Sequence, residues 1–272
     1  MKCSRPYLVA LSIAAATLPG LAAAQAYPNK PVRLVVPFAP GGTTDLLARI
    51  IAEKMGATLG QTVVVENKAG AGGGIGAAEV AKSPPDGYIL LMSSVSTMAT
   101  NPAINPATAY DPIKDFVHVS NVAATPNVIA VHPSFPAKDY KAFVDTLQKS
   151  PGKYSYGSAG NGSVGHMLAE LYKSMAKVFV THIPYRGSGP ALNDVVAGQL
   201  PIIVDNLPSA LTFIKDKRLI PIVVADRDVW PTCRTCRHSP RSGWRLPTAC
   251  RSWGCLHPKA RPGKWSTNCM QP

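Results

Sequence analysis

What the sequence lacks narrows it first. No register of the glycine run from Gly70 to Gly76 gives G-x-G-x-x-G, because a start at Gly70 ends on Ile75 and a start at Gly72 ends on Ala77. That weakens a dinucleotide reading, and no G-x-x-x-x-G-K-[ST] offers a nucleotide triphosphate one. Ser158 and Ser163 are preceded at minus two by Tyr156 and Asn161, so neither sits in a G-x-S-x-G elbow. His118, His132, His166 and His182 show no H-E-x-x-H or other metal spacing and read as packed or solvated side chains. His166 stands apart, because it begins a helical stretch beside a glycine loop. No nucleophile–base pair and no paired acids are visible, so the sequence points to no cofactor, no metal and no catalytic residue.

Acidic residues are absent after Asp228, and this decides how the formal charge of +13 is read. Eight basic residues, from Arg234 to Lys264, fall in that acid-free tail, and Lys2 and Arg5 stand at the other end. The body between is only slightly basic and has no basic patch with interleaved aromatics, which excludes a nucleic-acid partner. After Ala23 no run is long and apolar enough to cross a bilayer. The start has the pattern of a leader: Lys2 and Arg5 precede the apolar stretch Tyr7–Ala23, and Ala24-Gln25-Ala26 supplies a cleavage site before Tyr27. Pro19 and Gly20 interrupt that stretch, which argues against a retained anchor. Residues 1–26 are therefore expected to be a signal peptide, and the mature chain an exported, soluble, periplasmic protein and a monomer.

The body alternates short β-branched runs with amphipathic ones. Val32–Val36 reads as a buried strand, and Leu46, Leu47, Ile50, Ile51 and Met55 recur at helical spacing. Between them lies Phe38-Ala39-Pro40-Gly41-Gly42-Thr43-Thr44-Asp45, a glycine turn into a helix start that Thr43, Thr44 or Asp45 can cap. It is either an ordinary capped turn or an anion site made of free backbone N–H groups. Asp45 disfavours a highly charged phosphate, and a carboxylate fits at least as well. Further strands are expected at Thr62–Val65, Tyr88–Met92, Lys153–Gly157, Val178–Pro184, Pro201–Val204 and Leu219–Ala225, with helices between most of them. Such alternation predicts parallel sheets covered on both faces, with ligands held at the strand ends. Two series joined near Asn121–Val131 predict two α/β lobes, residues 27–125 and 126–225, with a cleft between them.

Five ordered stretches carry a resemblance. They are YPNKPVRLVVPFAPGGTTDLLAR, VVVENKAGAGGGIGA, SPPDGYILLM, YGSAGNGSVGHM and IPYRGSGPALNDVVAGQLPIIVDNLPSA. From Tyr27 to about Ala225 the chain resembles the Bug family, the periplasmic receptors of tripartite tricarboxylate transporters. The resemblance implies a type II periplasmic-binding-protein (Venus-flytrap) fold whose two lobes close on a small carboxylate or dicarboxylate. It also implies delivery of that ligand to membrane permease subunits. By motif it nominates Phe38, Ala39, Pro40, Gly41, Gly42 and Thr43 on the first loop. Ser94, Ser96 and Thr97 follow on another, although Ser94–Ala99 replaces the T-H-A-like stretch usual there. From the second lobe it nominates Ser158, Asn161, Gly162, Ser163, Tyr185, Gly187 and Asp205. The competing class is an exported α/β hydrolase-like enzyme, for which the motifs above are missing.

After Ala225 the likeness and the globular composition both stop. All four tryptophans and five of the six cysteines lie in residues 226–272. Cys233-x2-Cys236 and Cys250-x4-Cys255 are close to zinc-ligand spacing, and a disulfide-bonded tail is a second reading. A change of reading frame explains more. Shifting the frame turns the stretch from Cys233 into Pro-Asp-Val-Pro-Thr-Leu-Ala-Glu, and Leu256–Cys269 into Ala-Pro-Lys-Gly-Thr-Pro-Gly-Glu-Val-Val-Asp-Lys-Leu. Both resemble the family's continuation. The tail is then expected to be aberrant and disordered, the first lobe incomplete, and the product unstable or inactive. Reading the coding DNA tests this: one alternative frame should encode both peptides, and a frame encoding neither refutes it.

Overall fold

The computed structural model describes residues 27–225 and, beyond them, the backbone of two strands at Arg237–His238 and Trp253–Pro258. The expected signal peptide and the rest of the tail, with the side chains of its cysteines, lie outside the described residues. Strands and helices follow the β-branched and amphipathic runs. They are β1 (Val32–Val36), α1 (Thr43–Leu59), β2 (Val63–Asn67), α2 (Gly74–Ala81) and β3 (Ile89–Ser94). A short turn of helix, α3 (Asn101–Ile104), precedes β4 (Phe116–Ala123) and β5 (Asn127–Val131). Then come α4 (Tyr140–Lys149), β6 (Ser155–Ser158), α5 (Val164–Ala176), β7 (Thr181–Pro184) and α6 (Ser188–Val196). The body ends with β8 (Ile202–Asn206), α7 (Leu207–Lys215) and β9 (Ile220–Ala225).

Two sheets form, each with its own cores. The first runs β2-β1-β3-β11-β4 and the second β10-β9-β5-β8-β6-β7, where β10 is Arg237–His238 and β11 is Trp253–Pro258. Side chains alternate across β1, so that Val32, Leu34 and Val36 face α1 while Val35 joins Ala77 and Val80 of α2 on the other side. The second sheet is covered likewise. Phe143, Leu147, Leu168 and Tyr172 of α4 and α5 lie on one face, and Leu192, Val195, Leu207 and Ala210 of α6 and α7 on the other.

Three expectations need correction. Neither sheet is wholly parallel: β5 runs antiparallel to β8 and β9, and β11 antiparallel to β3 and β4. β5 enters its sheet directly from β4 of the first sheet, without a crossover helix to reverse direction. The buried face of α1 is not the expected large-residue stripe, since Ala48 and Ala52 are buried while Leu46 and Ile50 are 40% and 60% exposed. Small residues let α1 lie close on the sheet, with Leu47, Ile51 and Met55 flanking the seam. Finally, Trp253–Pro258 does occupy a place in the first sheet, so expected disorder does not describe those residues. Antiparallel pairing uses backbone groups alone, and the composition of the tail does not forbid it.

At one point helix and sheet leave no room for a side-chain carbon. A Cβ at Gly165, in the first turn of α5, would stand 2.3 Å from the Val204 carbonyl oxygen of β8. Gly165→Ala gains about 1 kcal/mol in helix propensity but must push α5 off the sheet. A net loss of about 1–2 kcal/mol is expected, read as a lower denaturant midpoint.

Candidate binding cleft

Every loop that faces the junction of the two sheets leaves the C-terminal end of a strand. β1 leads into Phe38–Thr43, β3 into Ser94–Thr97, β6 into Ser158–Ser163, β7 into Tyr185–Ser188, and β8 ends at Asp205 and Asn206. The first loop turns into α1 without a side-chain cap: Gly42 is the N-cap. Asp45, three residues in, instead accepts from the Gly41 N–H at 3.1 Å. Burial raises the affinity of Asp45 for a proton, but donors from Arg49, Gly41 and Asn67 outweigh it and hold the carboxyl below its usual range. That frees Thr43 for the opposite lobe.

The lobes touch through main chain and hydroxyls. The Ala39 N–H donates to the Arg186 carbonyl at 3.1 Å. Thr43 Oγ1 donates to Ser209 Oγ at 3.0 Å and accepts from the Ser209 N–H at 3.2 Å. Ser96 Oγ accepts the Val164 N–H at 3.1 Å, so a first-lobe serine satisfies the first free amide of a second-lobe helix. Glycines permit the approach. A Cβ at Gly189 would lie 2.0 Å from the Pro40 carbonyl oxygen, and one at Gly72 would lie 2.2 Å from that of Asn161. The glycine run that tempts a nucleotide reading is therefore part of a lobe-to-lobe contact.

Asp205 anchors the second-lobe wall. It is fully enclosed, with Ser188 Oγ donating to Oδ1 at 2.5 Å and Ser209 Oγ donating to Oδ2 at 2.5 Å. Burial raises its pKa, opposed by those hydroxyls and by the Asn206 N–H. Both carboxylate oxygens thus face inward to serines, and Thr43 joins the same chain from across the cleft.

The space enclosed by these loops is lined by Phe38, Gly42 and Thr44 from one side, by Ser188, Asp205 and Asn206 from the other, and by Ser96, Ser163 and Val164 at the seam. It measures about 20 Å³, room for one water molecule and far less than a dicarboxylate. The lobes are closed. A larger open depression of about 680 Å³ runs along α1 and the edge strand β2, outside the ring of strand-end loops.

Among the nominated residues, Phe38, Gly42, Ser96, Ser163 and Asp205 line this space. Ala39, Pro40, Asn161 and Gly187 make the closing contacts, and Thr43 bridges to Ser209. Gly41 serves Asp45, and Gly162 donates its N–H to His166 Nδ1. Thr97 is turned back on its own loop, accepting from the Ser94 N–H, while the Ser94 hydroxyl is buried without a partner. Tyr185 does not line the cleft: its hydroxyl donates to Asp194 at 2.6 Å, and burial, then Asp194, pushes its pKa up to about 12. Sequence reasoning missed Thr44, Asn206 and Ser209. The first two directly follow nominated residues at a loop and a strand end, and Ser209 is four residues from Asp205.

A second omission concerns histidine. His182 of β7 stacks on His166 of α5 with centroids 4.1 Å apart, and its Nε2 lies 2.7 Å from Ser158 Oγ. The expectation of no nucleophile–base pair therefore fails on geometry. The chemistry of a hydrolase still does not follow, because Ser158 is completely buried and Glu170 stands beside His166 rather than orienting His182. Among the described residues no group of three or more His, Cys, Asp or Glu could hold a metal ion, and no helix is long and apolar enough to cross a membrane.

Two α/β lobes closing over strand-end loops are the architecture of a periplasmic solute-binding protein. Known proteins agree. Residues 47–246 match the model of the tripartite tricarboxylate transporter family receptor, beginning later and ending later than the motif likeness. The chain is 36% identical to Protein BugT of Bordetella pertussis over 222 residues, 81% of this chain and 68% of that one. It spans about two thirds of the length of the curated relatives it matches. Among solved structures, Rpa4515 of R. palustris with adipate is 34% identical with a TM-score of 0.84, covering 89% of this chain and 81% of that one. MatC from Rhodopseudomonas palustris with bound malate is 32% identical with a TM-score of 0.80, covering 87% and 80%. The chain belongs to the tripartite tricarboxylate transporter receptor family, whose members are binding proteins and not enzymes.

The histidine stack sets an acid limit. Burial, with His166 and Lys173 adding and Glu170 opposing, lowers His182 to about 4 from the ordinary 6.5. The unfolded chain takes up this proton near 6.5 and the folded chain only near 4, so His182 withdraws stability as pH falls through that window. Asp45 and Glu170, both held low, add to the loss at the acid end, whereas Asp205, held high, opposes it. The melting temperature should fall between about pH 7 and about pH 5, and His182→Phe should flatten that slope.

Proposed function

We propose that this chain is an extracytoplasmic solute-binding receptor. It captures a small carboxylate or dicarboxylate between its lobes and delivers it to the membrane subunits of a tripartite tricarboxylate-type transporter. The observation that carries this reading is the chemistry of the cleft wall. Hydroxyls and backbone at strand and helix ends line it, and among the described residues no lysine or arginine does. Neutral, preorganised donors suit a carboxylate, whereas a more highly charged phosphate calls for cationic partners. Adipate and malate in the two related structures support the same ligand class.

In this reading the loops at Phe38–Thr43, Ser94–Thr97, Ser158–Ser163 and Tyr185–Ser188 hold the ligand, and Asp205, taking the hydroxyl protons of Ser188 and Ser209, fixes the wall from which they are presented. An ionised ligand beside Asp205 is tolerated because both carboxylate oxygens are already engaged by Ser188 and Ser209. Entry requires the lobes to part, since the closed space is too small. The signal peptide would place the receptor in the periplasm. The acid-free tail is read as the product of a changed frame, which leaves this copy with an altered first-lobe closure.

Calorimetric titration with adipate and malate tests the receptor reading. Saturable binding is expected, with thermal stabilisation of about 2.7 kcal/mol at a hundredfold excess over Kd. No binding of any small carboxylate would refute it. Gly189→Ala, whose methyl meets the Pro40 carbonyl, should weaken binding at least about tenfold while leaving the circular dichroism spectrum unchanged. Wild-type affinity in that variant would show that this closed contact is not used.

A further inference from the structure

Ser158 Oγ is surrounded by more hydrogen-bonding groups than a hydroxyl can serve in any single way. The Gly160 N–H donates to it at 3.2 Å, Ser163 Oγ stands at 3.3 Å, His182 Nε2 at 2.7 Å and the Gly160 carbonyl at 3.3 Å. A serine hydroxyl has one proton and two lone pairs. If His182 Nε2 is bare, the Ser158 proton goes to it and the two lone pairs take the Gly160 N–H and the Ser163 proton. If Nε2 carries a proton, it fills one lone pair, the Gly160 N–H fills the other, and the Ser158 proton turns to the Gly160 carbonyl. The Ser163 proton is then displaced, and Ser163 lines the cleft.

Resting on the carboxylate reading above, we propose that His182 is a positioning residue that acts through Ser158 to decide whether Ser163 keeps its proton inside the loop or offers it to the ligand. Without ligand, the bare Nε2 leaves a Ser158 lone pair to accept the Ser163 proton, which otherwise has no partner among the described residues of the closed cleft. With a carboxylate in the cleft, the neutral imidazole shifts its one proton from Nδ1 to Nε2, and the Ser163 hydroxyl, displaced from Ser158, donates to the ligand. The neighbours of His182 are suited to such a change. His166 cannot compete for the role, because its Nδ1 accepts the Gly162 N–H at 3.1 Å and its own proton must sit on Nε2. Tyr156 stacks on the opposite side of His182 at 4.9 Å and donates its hydroxyl to Glu170 at 2.8 Å. Glu170 is in turn paired with Lys173 at 2.8 Å. These groups form a closed set around His182, which leaves Ser158 as the partner of its Nε2.

Nitrogen-15 NMR of the imidazoles reads the proton directly, with His182→Phe identifying the signal while keeping a ring in the stack. The expected result is an unprotonated Nε2 in the free protein that becomes protonated on saturation with adipate or malate. In His182→Phe, Ser158 has an empty lone pair that retains the Ser163 proton, so the affinity for the same acid should fall by about tenfold. A protonated Nε2 in the free protein, an Nε2 that stays bare when the acid binds, or unchanged affinity in His182→Phe overturns the proposal. If neither acid binds, the carboxylate reading fails by itself. The free-state tautomer then decides the assignment of His182: bare supports it, protonated refutes it.

Discussion

The structure depends on two backbones being able to touch. Gly189 lies on the Pro40 carbonyl and Gly72 on that of Asn161, at distances no side-chain carbon could share. Those two contacts bring the strand-end loops of both sheets into one small volume. The hydrogen bonds from Ala39 to Arg186 and from Val164 to Ser96 follow from that approach. Each contributes about 1 kcal/mol net, which is enough to bias the lobes toward closure without holding them there against a ligand's entry.

Asp205 plays a different part. A carboxylate taken wholly out of water would be costly on its own, and here two serine hydroxyls and an amide offset that cost. The result is a wall whose hydroxyls are fixed in direction by the carboxylate behind them. Because Thr43 feeds the same chain through Ser209, closing the lobes and orienting the wall are one event. The histidine stack behind Ser158 does for the neighbouring loop what Asp205 does for this one, with a group that can change its proton.

Much of the fold was legible because period and punctuation are local. β1 was bounded correctly by its β-branched run, and the glycine and proline turns marked the helix starts. The antiparallel course of β5 was not legible, since direction within a sheet depends on which lobe the chain arrives from. The close seating of α1 on Ala48 and Ala52 was hidden behind larger apolar residues that turn out to face solvent. Within the cleft, the loops could be nominated from motifs, but Tyr185 belongs to Asp194 and the pairing of Ser158 with His182 spans a helix and two strands. Contacts across that separation leave no periodic trace.

Closure through main-chain atoms has a consequence for how such a receptor can change. The closest approaches between the lobes are made by carbonyls and glycines, while Thr44 and Ser163, whose side chains make no hydrogen bond to the other lobe among the described residues, line the enclosed space. Shape-matching between lobes and chemical choice of cargo are thus written in different atoms. Residues in the second set can be exchanged to suit a longer, shorter or more polar acid, and the hinge-and-latch motion would be inherited unaltered.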